Sequence, residues 1–406
     1  MKGLSMTIQE RSHPSSLLFE GGFRIFFLSA ALYAALSMIL WICDLTGYSE
    51  ILGLFSVLPG SLWHAHELIF GVIMAVVAGF LTTAVPVWTG GERIRGTELK
   101  ILFGLWLLGR LAVFMSELLP LPVVVLIDLS FIPYLAFLIG RQIIQKRLWR
   151  NLGFIPMLFF ILSGNVLIWG EMLAISNLYA NTGIQLSIGF LVLMTVLIGG
   201  RVLPVFTSNW LRRANKNNEL ANSVWLKRLT IVTTLLAVFS GPLNAPQLFQ
   251  ALASIFAAIF IIARLLQWKG WQTLSDPLMW ILHLGYLFLG LGFLAEASTH
   301  VFIDFPEILA NHVLTIGGLG TMVLGMMSRI ALGHTGRPLK IASGVALSFW
   351  LLIASLIARI LPPLAFPDFE DVGLAFAGIA WICAWILYLI YYVPVLTKVR
   401  ADGKEG

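Results

Sequence analysis

Apolar stretches of about 20 residues recur along the whole chain, and they constrain its fold more than any other feature. Twelve such stretches lie at residues 22–43, 63–86, 100–119, 122–144, 151–174, 183–207, 227–241, 246–267, 277–300, 308–332, 340–361 and 371–396. A helix of about 20 apolar residues crosses the roughly 30 Å hydrocarbon core of a bilayer, and only 11% of the residues are charged. The sequence therefore predicts an all-α polytopic membrane protein with about twelve transmembrane helices. We expect one integral membrane domain over residues 1–406, with a short N-terminal arm at 1–21 and a short C-terminal tail at 397–406.

Positive charge is distributed unevenly among the connections between these stretches. Lys and Arg fall in alternate connections, for example at Arg93 and Arg212, whereas the intervening connections carry acidic residues such as Asp44 and Glu307. Because Lys and Arg accumulate on the cytoplasmic side of membrane proteins, both termini are predicted to be cytoplasmic. The same bias, together with anionic lipid headgroups, accounts for the net charge of +6. The expected partner is therefore the lipid bilayer, and no nucleic acid is required.

The two cysteines restrict the kinds of metal site that the chain can form. Cys43 and Cys383 lie on distant spans, and neither belongs to a Cys-x-x-Cys-His motif. This excludes covalent c-type haem attachment and a thiolate cage. A metal in this protein would have to be bound by imidazole, and any haem would have to be held non-covalently, as the expected b-type haem is.

The second span begins with an unusual group of polar residues, Trp63-His64-Ala65-His66-Glu67, followed by Leu68-Ile69-Phe70-Gly71. A helix advances about 100° per residue, so His64 and His66 point about 200° apart. They can serve two neighbouring centres, or one centre if the start of the helix is irregular. Glu67 lies on nearly the same face as His64 and could support a ligand or move a proton. Asp128 and Glu171 are expected near the same outer level, either on a proton path or simply at the interface.

The tenth span carries His312 at its outer end, at the same depth as His64 and His66. Three imidazoles on two helices at one level are compatible with a haem or copper site. Glycines at positions 317, 318, 320 and 325 follow on the same span. Such glycines usually indicate tight helix packing, but they would also let a flat macrocycle approach the backbone.

Other polar residues within the apolar stretches are candidates for binding. His283 lies in the inner half of the ninth span, and in a lipid-embedded helix such a residue favours ligation or proton transfer. His334 ends the tenth span about 33 Å along the helix from His312, so the two cannot share a metal. His334 and Arg329 could hold an anionic or quinone headgroup or belong to a structured loop, and Arg201 could bind a haem propionate or cap carbonyl groups. The seventh and eighth spans contain almost no polar chemistry and are typical of scaffold.

Several long motifs occur in an order that resembles one bacterial membrane protein family. These motifs are GFRIFFLSAALYAAL, WHAHELIFG, GFLTTAVPVWTG, GGRVLPVFT, HLGY and NHVLTIGGLGTMVLGMMSRIALGHTGRPL. Together they resemble the NnrS family of haem- and copper-containing proteins. The resemblance implies bound haem and copper, a role in nitric oxide metabolism or nitrosative-stress resistance, and a multi-pass location in the bacterial inner membrane. The recurrent histidines to which it points are His64, His66, His283, His312 and His334.

The leading hypothesis is a haem and copper protein that binds nitric oxide and could reduce it to nitrous oxide. Reduction would make it an oxidoreductase that takes electrons from a quinol or an external donor, with Glu67, Asp128 and Glu171 as proton-path candidates. Two hypotheses of other classes stand beside it. One is a twelve-helix secondary transporter, which fits the span number and the central polar connection. The other is a non-catalytic haem-based nitric oxide sensor or metal-handling protein.

Overall fold

The structure is a computed structural model that describes residues 17–47, 55–175, 179–217, 219–302 and 305–403. Residues 1–16 of the predicted N-terminal arm and 404–406 of the predicted C-terminal tail lie outside the described residues. Within the described ranges the chain is helical, without strands. The all-α prediction is therefore confirmed for the part of the chain that the structure describes.

Twelve long helices follow one another along the chain, one for each apolar stretch of the sequence. They are α1 Gly22–Leu45, α2 Gly60–Thr89, α3 Thr97–Phe114, α4 Leu121–Gln145, α5 Phe154–Met172, α6 Ala180–Arg213, α7 Val224–Ser240, α8 Gln247–Leu266, α9 Pro277–Val301, α10 Glu307–His334, α11 Ser343–Ala365 and α12 Glu370–Leu396.

Ten of these helices are long and apolar enough to cross a membrane, fewer than the twelve spans that the sequence predicted. Helix α3 is 18 residues long and carries Glu98, Lys100 and Arg110. Helix α7 has only 17 residues, which is about 25 Å at 1.5 Å per residue. The other ten helices are sufficient for a polytopic membrane protein, and α3 and α7 are the two that do not reach the length and apolarity of a membrane span.

The first and last helices place both ends of the described chain at the same end of the bundle. Arg24, at the start of α1, is fully buried. It donates hydrogen bonds from Nη1 to the carbonyl oxygens of Leu396 (2.7 Å) and Lys398 (2.8 Å), where α12 ends. Arg141, at the end of α4, pairs with Glu98, at the start of α3 (2.7 Å). The Lys- and Arg-rich connections therefore share this end, which the charge distribution predicts to be cytoplasmic.

Consecutive helices pack side by side, and α12 returns to pack against α1, so the helices close into a ring. The four most buried spans are α2, α6, α9 and α10, in which 61–72% of the apolar window is buried, against 39–50% in the other six. These four helices form the centre of the bundle. All five histidines predicted to bind a cofactor lie on three of them, α2, α9 and α10.

Large apolar side chains on the outer helices are exposed. Leu126 is 73% exposed, Leu248 71% and Phe376 53%. So large an apolar surface is unfavourable in water and fits contact with lipid chains.

Glycines bring the central helices close together. A methyl group on Gly164 of α5 would collide with the Gly183 carbonyl of α6. On α10, methyl groups at Gly317 and Gly318 would meet side chains of α9 and α11, and one at Gly325 would meet α9. The glycine series of α10 therefore serves helix packing at these positions, the first of the two interpretations that the sequence allowed.

Candidate functional site

A cavity of about 380 Å³ lies between α1, α2, α10, α11 and α12. Its size is typical of sites that hold small organic ligands, which range from roughly 300 to 1,000 Å³. Most of its lining is aliphatic or aromatic, and the imidazoles of His64 and His312 both face it. The structure thus brings two of the predicted ligands together.

The His64 imidazole is positioned by an aromatic neighbour. Its ring stacks on Trp41 of α1, with 5.0 Å between ring centroids and 22° between the planes. The helical turn Gly60–His66 that carries it begins directly after Pro59, a residue whose fixed φ suits a helix start. Among the described residues neither ring nitrogen of His64 has a hydrogen-bond partner, so both nitrogens are available to a ligand.

The His312 imidazole is oriented by the backbone of its own helix. Its Nδ1 lies 2.6 Å from the carbonyl oxygen of Ile308. A carbonyl oxygen can only accept, so Nδ1 carries a proton and donates it, and in the neutral ring Nε2 is then the unprotonated nitrogen. A hydrogen bond of this kind fixes the tautomer and orientation of a histidine that ligates a metal through its other nitrogen.

Two charged side chains line the same cavity, Asp371 of α12 and Arg359 of α11. Arg359 is the cation. It has no carboxylate within ion-pair distance among the described residues. The sequence predicted no function for Arg359, although an isolated arginine between acidic outer connections can indicate a binding residue. Buried or half-buried guanidinium groups without a partner are suited to bind carboxylates of a ligand.

His66 faces the other side of α2, as its 200° separation from His64 requires. It lies in a buried cluster with Glu67, Arg110 of α3 and Asp128 of α4. Its Nδ1 is 2.8 Å from Glu67 Oε1, and its Nε2 is 3.0 Å from the Asn165 amide oxygen and 3.3 Å from Asp128 Oδ2. Arg110 donates from Nη1 to Glu67 Oε1 (2.6 Å) and from Nη2 to Asp128 Oδ1. We call these four residues the polar cluster.

Neutral donors complete the hydrogen bonds of the polar cluster. Asn165 Nδ2 and Trp169 Nε1, both on α5, donate to Asp128 Oδ2 at 2.8 Å each. Tyr33 of α1 donates its hydroxyl to Glu67 Oε2. Sequence reasoning missed these three residues, because nothing in their local pattern indicates which helix packs against α2.

The charges of the polar cluster balance when His66 is protonated. Two carboxylates then face one guanidinium and one imidazolium, and both ring nitrogens of His66 donate to acceptors. His66 and Glu67 are fully buried, and Arg110 and Asp128 are 5% and 3% exposed. A net charge in such surroundings would be costly. Both nitrogens of His66 are therefore engaged, and this imidazole does not face the cavity that holds His64 and His312.

The backbone changes from α-helix to π-helix directly after His66 and directly after His312. The α-helical turn of α2 ends at His66 and continues as a π-helix over Glu67–Ile73. Helix α10 does the same, with a π-helix over Val313–Gly320 directly after His312. Residues of both π-helical segments line the cavity. Segments of this kind are rare and frequently lie at functional sites.

The other predicted histidines and the third carboxylate lie elsewhere. His283 is 8% exposed, and its Nε2 is 3.1 Å from the Thr207 hydroxyl. The His334 ring packs against Phe23, with 5.4 Å between centroids. Glu171 accepts a hydrogen bond from the Ala180 backbone (2.7 Å), at the start of α6. None of these three lines the cavity or belongs to the polar cluster.

The two predicted arginines also lie away from the cavity. The guanidinium of Arg201 lies 4.1 Å above the Trp88 ring, near the opposite end of α2. Trp88 follows His64 by 24 residues, which is roughly 35 Å along a helix. The Arg329 guanidinium lies 4.1 Å above the Phe206 ring. Neither arginine can therefore reach a ligand held between His64 and His312.

No group of three or more His, Cys, Asp or Glu side chains that could hold a metal ion occurs in the part of the chain that the structure describes. The five predicted histidines occupy four separate surroundings, and only His64 and His312 share one. A metal at that pair would have two protein ligands and would need the rest of its coordination from a cofactor.

Comparison with known proteins identifies the family of the chain. None of the curated proteins compared with it matches. The family model described as NnrS protein matches residues 17–400, nearly the whole length of the sequence. This match confirms the resemblance carried by the sequence motifs, and the chain belongs to the NnrS family.

Proposed function

We propose that this protein is a haem-containing membrane protein of nitric oxide metabolism or nitrosative-stress resistance, and that it binds nitric oxide. Membership of the NnrS family fits a role in nitric oxide metabolism or response. One structural observation supports the haem most strongly. The imidazoles of His64 and His312, which lie on different helices, face one largely apolar cavity of about 380 Å³ inside the bundle.

The residues around this cavity fit a b-type haem. Imidazole is a common ligand of haem iron, and the hydrogen bond of His312 Nδ1 would leave Nε2 as the nitrogen that could hold the iron. Arg359 offers a guanidinium to the propionates, which would otherwise leave negative charge near the membrane interior. Trp41 holds the His64 ring in place. When bound, the haem would supply an iron that takes nitric oxide as a ligand.

Two further features bear on the proposal: the route of nitric oxide into the cavity and the charges of the polar cluster. Nitric oxide is small and apolar, so it can enter the cavity through the bilayer. Most of the cavity lining is apolar, and its charged side chains are Arg359 and Asp371. On the far side of α2, the polar cluster holds a compensated set of charges within hydrogen-bond distance of one another.

Reduction of nitric oxide to nitrous oxide is a further part of the proposal. Two molecules of nitric oxide would take up two electrons and two protons to give nitrous oxide and water. Glu67 and Asp128 are the candidates for holding a proton, because Glu67 hydrogen-bonds to His66 Nδ1 and Asp128 Oδ2 lies 3.3 Å from His66 Nε2. Glu171 is a weaker candidate, since its carboxylate caps the start of α6. The electron donor, a quinol or an external protein, and the copper remain predictions, and copper rests on the family resemblance alone.

The visible spectrum of the detergent-purified protein tests the proposal. We expect haem bands after reduction with dithionite, and a shift of these bands when nitric oxide is added. His64→Ala and His312→Ala should lose the bands or convert them to those of a haem with one axial histidine. His300→Ala is the matched control, because His300 lies near the same end of the bundle but lines a different cavity.

Two outcomes would contradict the proposal. A folded, colourless and metal-free protein would refute the haem and favour the transporter. Bands that persist in His64→Ala and His312→Ala but vanish in His66→Ala would move the haem to the polar cluster. If the bands respond to nitric oxide but no nitrous oxide forms with a reductant, the protein is a sensor rather than an enzyme.

A further inference from the structure

A second cavity, of about 430 Å³, lies at the Lys- and Arg-rich end of the bundle. It is formed by the start of α5 and the residues just before it, by α6 and the connection that follows it, and by α7 and α8. Four cationic side chains line it, and no Asp or Glu of the described residues does. These cations are Arg150, Arg201, Lys227 and Arg264.

Arg264 forms the buried floor of this cavity, although its helix, α8, was predicted to be only scaffold. Its side chain is 3% exposed. Nη2 donates to the Gly200 carbonyl (2.8 Å), whereas Nη1 is buried without a hydrogen-bond partner in the described part of the chain. A methyl group at Gly200 would collide with this guanidinium. The glycine therefore makes room for a charged group that still lacks a counterion.

Asn151 is a second buried donor with an unused hydrogen. It is 1% exposed. Its Oδ1 accepts from Arg201 Nη1 (3.1 Å), but its Nδ2 has no partner among the described residues. A buried polar group without a partner costs about 1–3 kcal/mol. Two such donors at one cavity indicate that an acceptor normally occupies it.

The surroundings add further positive potential. Arg201 is held over the Trp88 ring, and the nearby charge of Arg150 repels it. The first turn of α5 also faces the cavity through Gly153 and Phe154. The free N–H groups at a helix start carry partial positive charge and bind anions. An anion in the cavity would satisfy the donors and relieve the repulsion.

We propose that this cavity binds a phosphate-bearing anion, either inorganic phosphate or the headgroup of an anionic phospholipid. Guanidinium groups match the geometry of phosphate oxygens. Basic pockets between transmembrane helices near the cytoplasmic side are suited to such headgroups. The site is independent of the proposed haem, since it lies roughly 35 Å along α2 from His64.

The experiment uses the full chain, delipidated in a neutral detergent, and measures the midpoint of thermal unfolding. One arm titrates inorganic phosphate against sodium chloride of equal ionic strength. The other arm adds phosphatidylglycerol or phosphatidylcholine in mixed micelles. The test variants are Arg201→Gln and Asn151→Asp, which avoid the buried Arg264. Lys146→Gln is the matched control, because it removes an exposed charge at the same end of the bundle but outside the cavity.

We expect phosphate or phosphatidylglycerol to raise the midpoint of the wild-type protein and of Lys146→Gln. Each test variant should weaken the apparent affinity about tenfold, as expected for the loss of a charged hydrogen bond. A response to phosphatidylglycerol alone assigns the site to a lipid headgroup, and a response to phosphate assigns it to the free anion. The proposal is refuted if neither compound stabilises the wild type, or if both stabilise the test variants as strongly as Lys146→Gln.

Discussion

Removing one charge from the polar cluster should destabilise the protein far more than removing two opposite charges together. In the native cluster, Glu67 and Asp128 balance Arg110 and protonated His66. Asp128→Asn leaves Glu67 alone against Arg110 and protonated His66, in a region where these four side chains are almost fully buried. Either one positive charge then stays in excess, or His66 must release its proton and lose a charged hydrogen bond. Breaking a buried ion pair in this way costs about 3–5 kcal/mol. Arg110→Gln leaves one negative charge in excess and should cost a similar amount.

The double variant R110Q/D128N keeps Glu67 and His66 as a balanced pair. Its loss of unfolding free energy should be smaller than the sum of the two single losses by at least about 2 kcal/mol. The free energies can be measured by denaturation with sodium dodecyl sulfate in mixed micelles. The Arg141–Glu98 pair is the matched control. Its side chains are 36% and 37% exposed at an N···O distance of 2.7 Å, so its coupling energy should stay below about 1 kcal/mol.

Additive losses in the double variant would refute the charge-balance argument. A loss below about 1 kcal/mol for Asp128→Asn would contradict the predicted cost, because it would mean that release of the His66 proton, water or a mobile ion readily compensates the remaining charge.

Three further predictions concern packing, cofactor retention and topology. Gly164→Ala should lower the unfolding free energy by about 1–3 kcal/mol, because the methyl group would collide with a carbonyl oxygen of α6. The control is Gly104→Ala, whose methyl group would meet no atom within 4 Å, so this variant should be neutral or stabilising. Equal effects of the two variants would contradict the close packing of α5 and α6. Arg359→Gln should lower the haem content of the purified protein without changing its yield, and unchanged content would exclude Arg359 as a propionate partner. In a cysteine-free background, Asn244→Cys should react with an impermeant maleimide on intact spheroplasts. Lys146→Cys should react only after the spheroplasts are disrupted. Labelling of both variants on intact spheroplasts would contradict the predicted orientation.

The sequence predicted correctly those features that depend on one helix alone. The length and apolarity of the stretches predicted a helix at each of twelve places, and the 100° advance per residue predicted that His64 and His66 face opposite sides. The structure has both features. The number of membrane spans was less certain, since α3 carries three charged residues and Arg110 among them faces the interior rather than lipid.

Contacts between distant helices could not be predicted in the same way. His66 was grouped with His64 and His312 because all three lie at one depth. Depth alone does not show which neighbour a side chain meets, and here α4 and α5 supply Asp128 and Asn165 as partners of His66. Arg359 was missed for the same reason, because its role depends on the packing of α11 beside α10. Arg264 was hidden in an apolar stretch, where a lone arginine is the only signal of a buried charged group.

The π-helical segments explain why the cavity wall itself could not be derived from helical periodicity. A π-helix forms hydrogen bonds from residue i to i+5, so side chains after His66 and His312 leave the 3.6-residue pattern. Both segments line the same cavity, and each begins directly after a histidine. The other ten helices contain no such segment within the described residues. Because this rare backbone form occurs only on the two helices that present imidazoles to the cavity, we attribute it to the construction of that site rather than to membrane packing in general.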